Sequence, residues 1–266
     1  MSSAIGCGSP LQRALAMVAA TGARCVDVLM IGTWAHVNPA ELAMDYDAVA
    51  TRLGRLLSGL GLKLSALNTG TTVQLHDRSE AANIARQLET EALCRLMSQH
   101  GVKTAAVQPL QRDPKRDPAE VMADCIASLR QQYAIASKYG VRLAVELHVN
   151  SPFETLDEAR ALLLEMPEVM VVYDPTHFVM QGVPLRETTW LMDRAILVHA
   201  RDAARGKLQV PLGTGDIDFD WMAGALLDRG FTGNVSVEYL ETDQFDVTDS
   251  ARRLHERLCR LFGPAR

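Results

Sequence analysis

Four side chains that can bind a metal ion follow four short apolar runs in the second half of the chain. They are Glu146, Asp174, His199 and Glu238. Three carboxylates held close together repel one another unless a cation neutralises them. One imidazole with three carboxylates suits a divalent ion that prefers oxygen ligands, with Mn²⁺ as our first expectation and Mg²⁺, Co²⁺ or Zn²⁺ as alternatives. A single acid at a strand end more often caps a helix or meets solvent, but four in succession favour a metal site.

The elements that must bring these side chains together repeat along the chain. Four segments combine the end of a helical stretch, a glycine and a short strand, with the glycines at Gly22, Gly61, Gly101 and Gly140. Each glycine fits the position just after a helix, where a positive φ favours glycine. Because each unit holds one helix and one strand, the repeat favours βα units around a parallel sheet over a solenoid of helix pairs.

The strand count predicts the α/β class and a single (β/α)8 TIM barrel over residues 1–266. Eight strands are predicted, at residues 4–7, 25–30, 63–67, 104–108, 141–145, 169–173, 196–198 and 235–237. An open doubly wound sheet is the alternative, but the sequence lacks the glycine-rich first turn of that fold. In a barrel of about 250 residues, the C-terminal ends of the strands meet at one mouth. The barrel would therefore gather the four metal-competent side chains.

Composition excludes several classes of protein. Apolar residues make up 48% of the chain and charged residues 22%, as in a globular protein with a large core. The net charge of −5, without runs of Lys or Arg, argues against a nucleic-acid partner. Five scattered cysteines favour a reducing, cytoplasmic location. No apolar run approaches the roughly 20 residues of a membrane span. The oligomeric state stays open, with a homo-oligomer as one alternative.

The order of the four side chains and the residues around them resemble a known family. The segments that carry them are AVELH, VVYDPTHF, LVHARD and VSVEY. With this Glu, Asp, His, Glu order, the chain resembles the xylose-isomerase-like barrels, specifically their sugar isomerase and epimerase branch. The resemblance covers nearly the whole chain and is strongest over residues 141–241. It implies that Glu146, Asp174, His199 and Glu238 are the ligands of one divalent ion.

The resemblance also implies substrate contacts beside the metal. His177 ends a D-x-x-H motif whose histidine contacts substrate oxygen atoms in these enzymes. Arg205 lies six residues after His199, as does the substrate-binding arginine of ketose 3-epimerases. Arg201 lies nearer, so two arginines compete for this role, and either could instead be a surface loop residue.

Two features near Glu146 bear on the type of reaction. His148 lies two residues further on and would point to the same face of an extended segment. A Glu-x-His at this place helps in the chemistry of related barrels that dehydrate 3-dehydroshikimate, although His148 could instead orient a ligand carboxylate. The ketose 3-epimerases carry a substrate-binding Glu six residues after the first ligand, whereas this chain has Pro152 there and Glu154 two residues later. This departure argues against specific ketose 3-epimerase activity.

Polar side chains also end apolar runs in the first half of the chain. They are His36, Asn68 and Gln108. Because the strand ends converge at the barrel mouth, each is a candidate contact for a small carbohydrate or keto-acid substrate.

Four functions compete on these observations. The first is a metal-dependent isomerase or epimerase of a sugar or sugar derivative, in which a proton next to a carbonyl is removed through a metal-stabilised enediolate. Glu146 and Glu238 are the expected acid/base pair, because their strands would face each other across the mouth. The second is a dehydratase or other lyase acting beside a carbonyl, which His148 favours. A DNA-repair endonuclease ranks far behind because of the net charge, and a non-catalytic barrel conflicts with the intact ligand set.

Overall fold

The computed structural model describes residues 1–32 and 34–263, and its strands form one sheet. Within these residues the sheet order is β2-β1-β3-β4-β5-β6-β7-β8. Seven strands run parallel in chain order, while the short β2 pairs antiparallel with β1. The sheet curls into a nearly closed α/β barrel, which confirms the predicted fold class. The strands are β1 (Cys25–Ile31), β2 (Ala35–His36), β3 (Lys63–Gly70), β4 (Thr104–Val107), β5 (Arg142–Glu146), β6 (Val171–Tyr173), β7 (Ala195–Ala200) and β8 (Asn234–Val237).

Helices surround the sheet and connect its strands. The four repeat glycines follow helix ends with φ of 82°, 65°, 68° and 65°, which confirms their predicted place. No helix of residues 1–32 and 34–263 is long and apolar enough to cross a bilayer. The α-helices are α1 (Leu11–Ala20), α2 (Pro39–Met44), α3 (Tyr46–Gly59), α4 (Glu80–Gln99), α5 (Pro118–Lys138), α6 (Leu156–Glu165), α7 (Thr176–Val179), α8 (Phe219–Asp228) and α9 (Val247–Phe262), and two 3₁₀ helices span Ser3–Gly6 and Leu185–Arg194.

The first predicted strand, at residues 4–7, is wrong. This segment is part of the 3₁₀ helix Ser3–Gly6, which begins where the Ser2 side chain accepts a hydrogen bond from Ala4 N–H. The backbone of the two preceding residues fills the gap between the first and last parallel strands. Ser2 N–H donates to Val237 O at 2.7 Å, and Asp27 N–H donates to Met1 O at 2.9 Å. The barrel is thus closed by a two-residue bridge instead of an eighth parallel strand.

The barrel interior is layered, with apolar side chains below and polar ones at the mouth. Side chains two residues apart on a strand share a face. The residues two positions before the polar strand ends are therefore the inner apolar layer, and they pack as one buried cluster that contains Ala66, Ala106, Ala144, Val172 and Leu197. A second and larger core lies between the sheet and the helices. Because small residues fill the inner layer on β3, β4 and β5, the polar layer above it can close to a narrow cluster.

Candidate active site

The four metal-competent side chains meet at the mouth of the barrel. Glu146 ends β5, Asp174 follows β6, His199 lies near the end of β7, and Glu238 follows β8. All four are buried, and one ligand atom from each lies within 4.8 Å of the others. Residues far apart in sequence thus become neighbours because their strands are adjacent and parallel.

His199 presents its Nδ1 atom to two of the carboxylates. Nδ1 lies 2.9 Å from Glu146 Oε1 and 3.1 Å from Glu238 Oε2. Burial lowers the pKa of His199, but the charges of Glu238 and Glu146 outweigh it and hold the pKa well above its usual value. Burial likewise raises the pKa of Glu146, but the charge of His199 and its hydrogen bond bring that pKa well below its usual value. In the metal-free protein, Nδ1 therefore carries a proton where a metal ion would bind.

A buried arginine, Arg201, lies between the carboxylates of Asp174 and Glu238. The Nη2 group of Arg201 donates to Asp174 Oδ2 at 2.9 Å, and its Nη1 group donates to Glu238 Oε2 at 3.1 Å. Burial lowers the pKa of Arg201, but the charges of Asp174 and Glu238 outweigh it and raise the pKa. The guanidinium thus neutralises part of a cluster that would otherwise repel itself.

Arg205, the other arginine considered from the sequence, is exposed and points elsewhere. Its guanidinium lies beside Gly182 on the surface. The chain turns back after β7, with an antiparallel bridge between Ala204 and Lys207, and this turn carries Arg205 away from the carboxylates. The structure therefore brings Arg201, and not Arg205, into the cluster.

Two histidines form a tilted ring pair beside the carboxylates. The rings of His148 and His177 lie 4.0 Å apart between centroids. Arg201 Nη2 lies 3.2 Å from His177 Nε2, which accepts its hydrogen bond, and His177 Nδ1 has no hydrogen-bond partner among the described residues. His148 Nδ1 donates to Val149 O at 2.6 Å, so Nε2 of the neutral ring carries no proton. Burial and the charge of His177 lower the pKa of His148 to about 4, so this ring is neutral near pH 7.

The two amide side chains named from the sequence contact the two glutamates. Asn68 Nδ2 donates to Glu238 Oε1 at 2.7 Å. Gln108 Nε2 donates to Glu146 Oε2 and lies 3.4 Å from Asn68 Oδ1. These amides hold one oxygen of each glutamate and fix its orientation.

His36 makes its hydrogen bonds with the N-terminal 3₁₀ helix and not with the four metal-competent side chains, and its contact with substrate stays a prediction. Its Nδ1 atom accepts from the Ser3 hydroxyl at 2.9 Å, because Nε2 faces a carbonyl oxygen and therefore carries the proton of the neutral ring. Its Nε2 group donates to Gly6 O at 3.0 Å. Both ring nitrogens are therefore engaged by the N-terminal 3₁₀ helix, and His36 fastens that helix to the barrel.

Glu154 does not replace the glutamate that the ketose 3-epimerases carry near this place. Its carboxylate accepts from Arg112 Nη2 at 3.1 Å, and the same group contacts Glu158. This ion-pair group ties the loop after β4 to the start of α6. Glu154 therefore does not take the place of the glutamate that is replaced by Pro152 in this chain.

The donor set fits a divalent ion. Three carboxylates and an imidazole nitrogen converge in a buried space, which suits ions with mainly oxygen ligands. Arg201 offsets one of the three negative charges, so a divalent cation would neutralise the other two once His199 is neutral. The residues present therefore have both the atoms and the charge that such an ion requires.

Comparison with known proteins supplies the family. A family model described as xylose isomerase-like TIM barrel matches residues 15–260. This chain belongs to that family. An inosose isomerase of Bacillus licheniformis is 27% identical over 160 residues, which cover 56% of this chain and 58% of the relative, so the match spans little more than half of that relative's length. Two solved structures share the fold. The structure of IOLI protein with a zinc atom is 21% identical, with a TM-score of 0.72, and the match covers 98% of this chain and 96% of that one. The structure of D-allulose 3-epimerase from Methylomonas sp. in complex with D-allulose is 17% identical, with a TM-score of 0.71, and the match covers 94% of this chain and 90% of that one.

In this xylose isomerase-like barrel, the sequence contained signals for two buried charges, one of which was considered only as a substrate contact and the other not at all. Arg201 lies two residues beyond His199 and so shares its face, by the same alternation that singled out His148. Asp27 is a lone carboxylate inside the apolar run of β1. A charge within an otherwise apolar strand indicates a buried partner, because an unpaired buried charge is costly.

Proposed function

We propose that this protein is a divalent-metal-dependent isomerase or epimerase of a sugar or sugar derivative. The observation that carries the proposal is the buried cluster of Glu146, Asp174, His199 and Glu238 at the barrel mouth. The proposal is supported by the family and by the inosose isomerase relative. Mn²⁺ is our first choice of metal, with Mg²⁺, Co²⁺ and Zn²⁺ as alternatives.

The metal would be held by those four residues and would supply Lewis-acid polarisation of the substrate carbonyl. Glu146 and Glu238 act as the acid/base pair that takes a proton from the carbon next to the carbonyl and returns it. Gln108 and Asn68 orient these glutamates through one oxygen of each. Asp174, paired with Arg201, serves as a ligand only.

His148 and His177 are the proposed substrate contacts. The buried Nδ1 of His177 has no partner among the described residues, so it is available to donate to a substrate oxygen. The unprotonated Nε2 of His148 is suited to accept from a substrate hydroxyl. Both contacts orient the substrate without transferring its proton.

A lyase is the second candidate, since related dehydratases carry the same Glu-x-His. Elimination of water requires an acid that protonates the leaving hydroxyl group. The His148 proton sits on Nδ1 and is donated to Val149 O, so Nε2 has none to give. This geometry favours isomerisation over elimination at this site.

The test is turnover of ketoses, keto-acids and inososes in D₂O with Mn²⁺. An isomerase or epimerase incorporates deuterium at the carbon next to the carbonyl, whereas a lyase releases water and gives an unsaturated product. We expect Glu238→Gln to lower kcat on the order of 10³-fold while substrate still binds. His148→Ala is expected to have a mild effect on an isomerase and a severe effect on a lyase.

Glu241→Gln is the matched control, because Glu241 follows the same strand but contacts Gly8 N–H and the Ser9 hydroxyl outside the cluster. Its turnover should equal that of the wild type. Normal turnover by Glu238→Gln would exclude this acid/base assignment.

A further inference from the structure

A buried aspartate lies beneath the four candidate ligands, in an inner layer whose other side chains, apart from Ser236, are apolar. The pairing of β1 with β3 slips by one residue at this point, so that Val26 pairs with Leu64 but Asp27 pairs with Ala66. Ala66 belongs to the inner apolar layer, two residues before Asn68. Asp27 shares its face of β1 with Leu29, which pairs with Asn68, so Asp27 points into the barrel, where it is fully buried.

Asp27 faces the side of His199 that is turned away from the other carboxylates. Its Oδ2 atom lies 3.3 Å from His199 Nε2 and accepts from the Ser236 hydroxyl at 2.9 Å. Within the described residues, this contact between Nε2 and Oδ2 is close but is not aligned as a hydrogen bond, and Asp27 Oδ1 has no hydrogen-bond partner. The imidazole is thus held between Asp27 on one side and Glu146 with Glu238 on the other.

A buried carboxylate in this position destabilises the fold, so a purely structural role does not explain it. A buried carboxylate with one unpaired oxygen costs free energy, and an apolar side chain would fill this layer more cheaply. Carboxylates that accept from the outer N–H of a histidine ligand fix the tautomer of the ring and raise its basicity. The position of Asp27 matches that role.

We propose that Asp27 is a positioning residue for the metal site. When His199 Nδ1 binds the metal, Asp27 would accept the Nε2 proton across this contact and hold the ring in the orientation that directs the Nδ1 lone pair at the metal. The inference rests on the proposed metal-dependent function, and it adds a carboxylate from β1 to a site whose ligands come from β5 to β8.

The test measures Mn²⁺ binding by the free-Mn²⁺ EPR signal, at a fixed pH, in wild type, Asp27→Ala and Asp27→Asn. We expect one Mn²⁺ per chain in all three and a Kd raised by about 10–100-fold in Asp27→Ala. Ser236→Ala is the matched control, because it removes a hydrogen bond to the same oxygen but leaves the carboxylate in place. Its Kd should stay within about threefold of wild type, because the carboxylate that contacts His199 remains in place.

A measurement on the unmutated protein covers the case in which the variants do not fold. In the Zn²⁺-loaded wild type, ¹H–¹⁵N NMR of the His199 ring should show zinc on Nδ1 and a protected proton on Nε2. Zinc on Nε2, or an Asp27→Ala variant with the Kd of wild type, would overturn the inference while leaving the proposed function intact. A wild-type protein that binds neither ion would overturn the proposed function and this inference together.

Discussion

The two halves of the barrel mouth differ in chemistry. The half built from β5 to β8 supplies charges: Glu146, Asp174, His199, Arg201 and Glu238. The half built from β1, β3 and β4 supplies amides and apolar side chains at the same level: Leu29, Ile31, Asn68 and Gln108. The charged half can hold an ion, whereas the uncharged half can only direct the groups that do so.

The difference shows how such a charged cluster is tolerated in a buried place. Each glutamate receives a neutral amide hydrogen bond from the first half, and Arg201 lies between Asp174 and Glu238 in the second. Hydrogen bonds to charged groups stabilise a protein by about 1.5–3 kcal/mol each, and loss of one partner of a buried ion pair costs more. Substitutions in the charged half should therefore lower the free energy of unfolding far more than substitutions in the uncharged half.

Removal of the buried cation should have the largest effect on stability. We expect Arg201→Gln to lower the free energy of unfolding of the metal-free protein by about 3 kcal/mol, because Asp174 and Glu238 lose their buried partner. Urea denaturation in EDTA measures this change, and Mn²⁺ should restore part of it.

Arg205→Gln is the control for this prediction, since Arg205 is exposed on the next turn of chain. It should change the free energy of unfolding by less than about 0.5 kcal/mol. Equal effects of the two substitutions would contradict the assignment of Arg201 to the cluster.

Substitution in the amide half should affect turnover while preserving metal binding. Gln108→Ala is expected to lower kcat/KM by about tenfold, because Glu146 loses the hydrogen bond that orients it. Metal analysis should still find one ion per chain. Gln111→Ala, at an exposed position of the same loop, should behave as wild type. Loss of the ion from Gln108→Ala would show that the amide half is also needed for metal binding.

The smallest effect concerns His36, which fastens the N-terminal 3₁₀ helix to the uncharged half. Burial lowers the pKa of His36, so its contribution to stability is present above its unfolded pKa and is lost as the pH falls through the folded value. Protonation of Nδ1 also removes its ability to accept from Ser3. Between pH 7 and pH 5, the Tm of wild type should fall by about 2 °C more than that of His36→Gln, measured by thermal unfolding. An equal fall in the Tm of the two proteins between pH 7 and pH 5 would show that His36 is not the source of this pH dependence.

Much of the barrel could be predicted because its signals are local. The glycines after helices, the apolar runs of the parallel strands and the polar residue at each strand end depend on neighbours within a few positions. The convergence of Glu146, Asp174, His199 and Glu238 then needed only the rule that parallel strands of a barrel end at one mouth. These features were determined by the sequence itself.

Other features were decided only by the tertiary structure, because they depend on contacts between distant segments. The 3₁₀ helix at the N-terminus replaces a strand because Ser2 pairs with Val237 and Asp27 from opposite ends of the sheet. The turn after β7 buries Arg201 and exposes Arg205, although both follow the same strand. Asp27 reaches His199 only because the barrel brings β1 and β7, which are distant in the sequence, to the same interior. Buried charges are paired by side chains that are distant in the sequence, so the sequence alone does not show which charged atoms will be in contact.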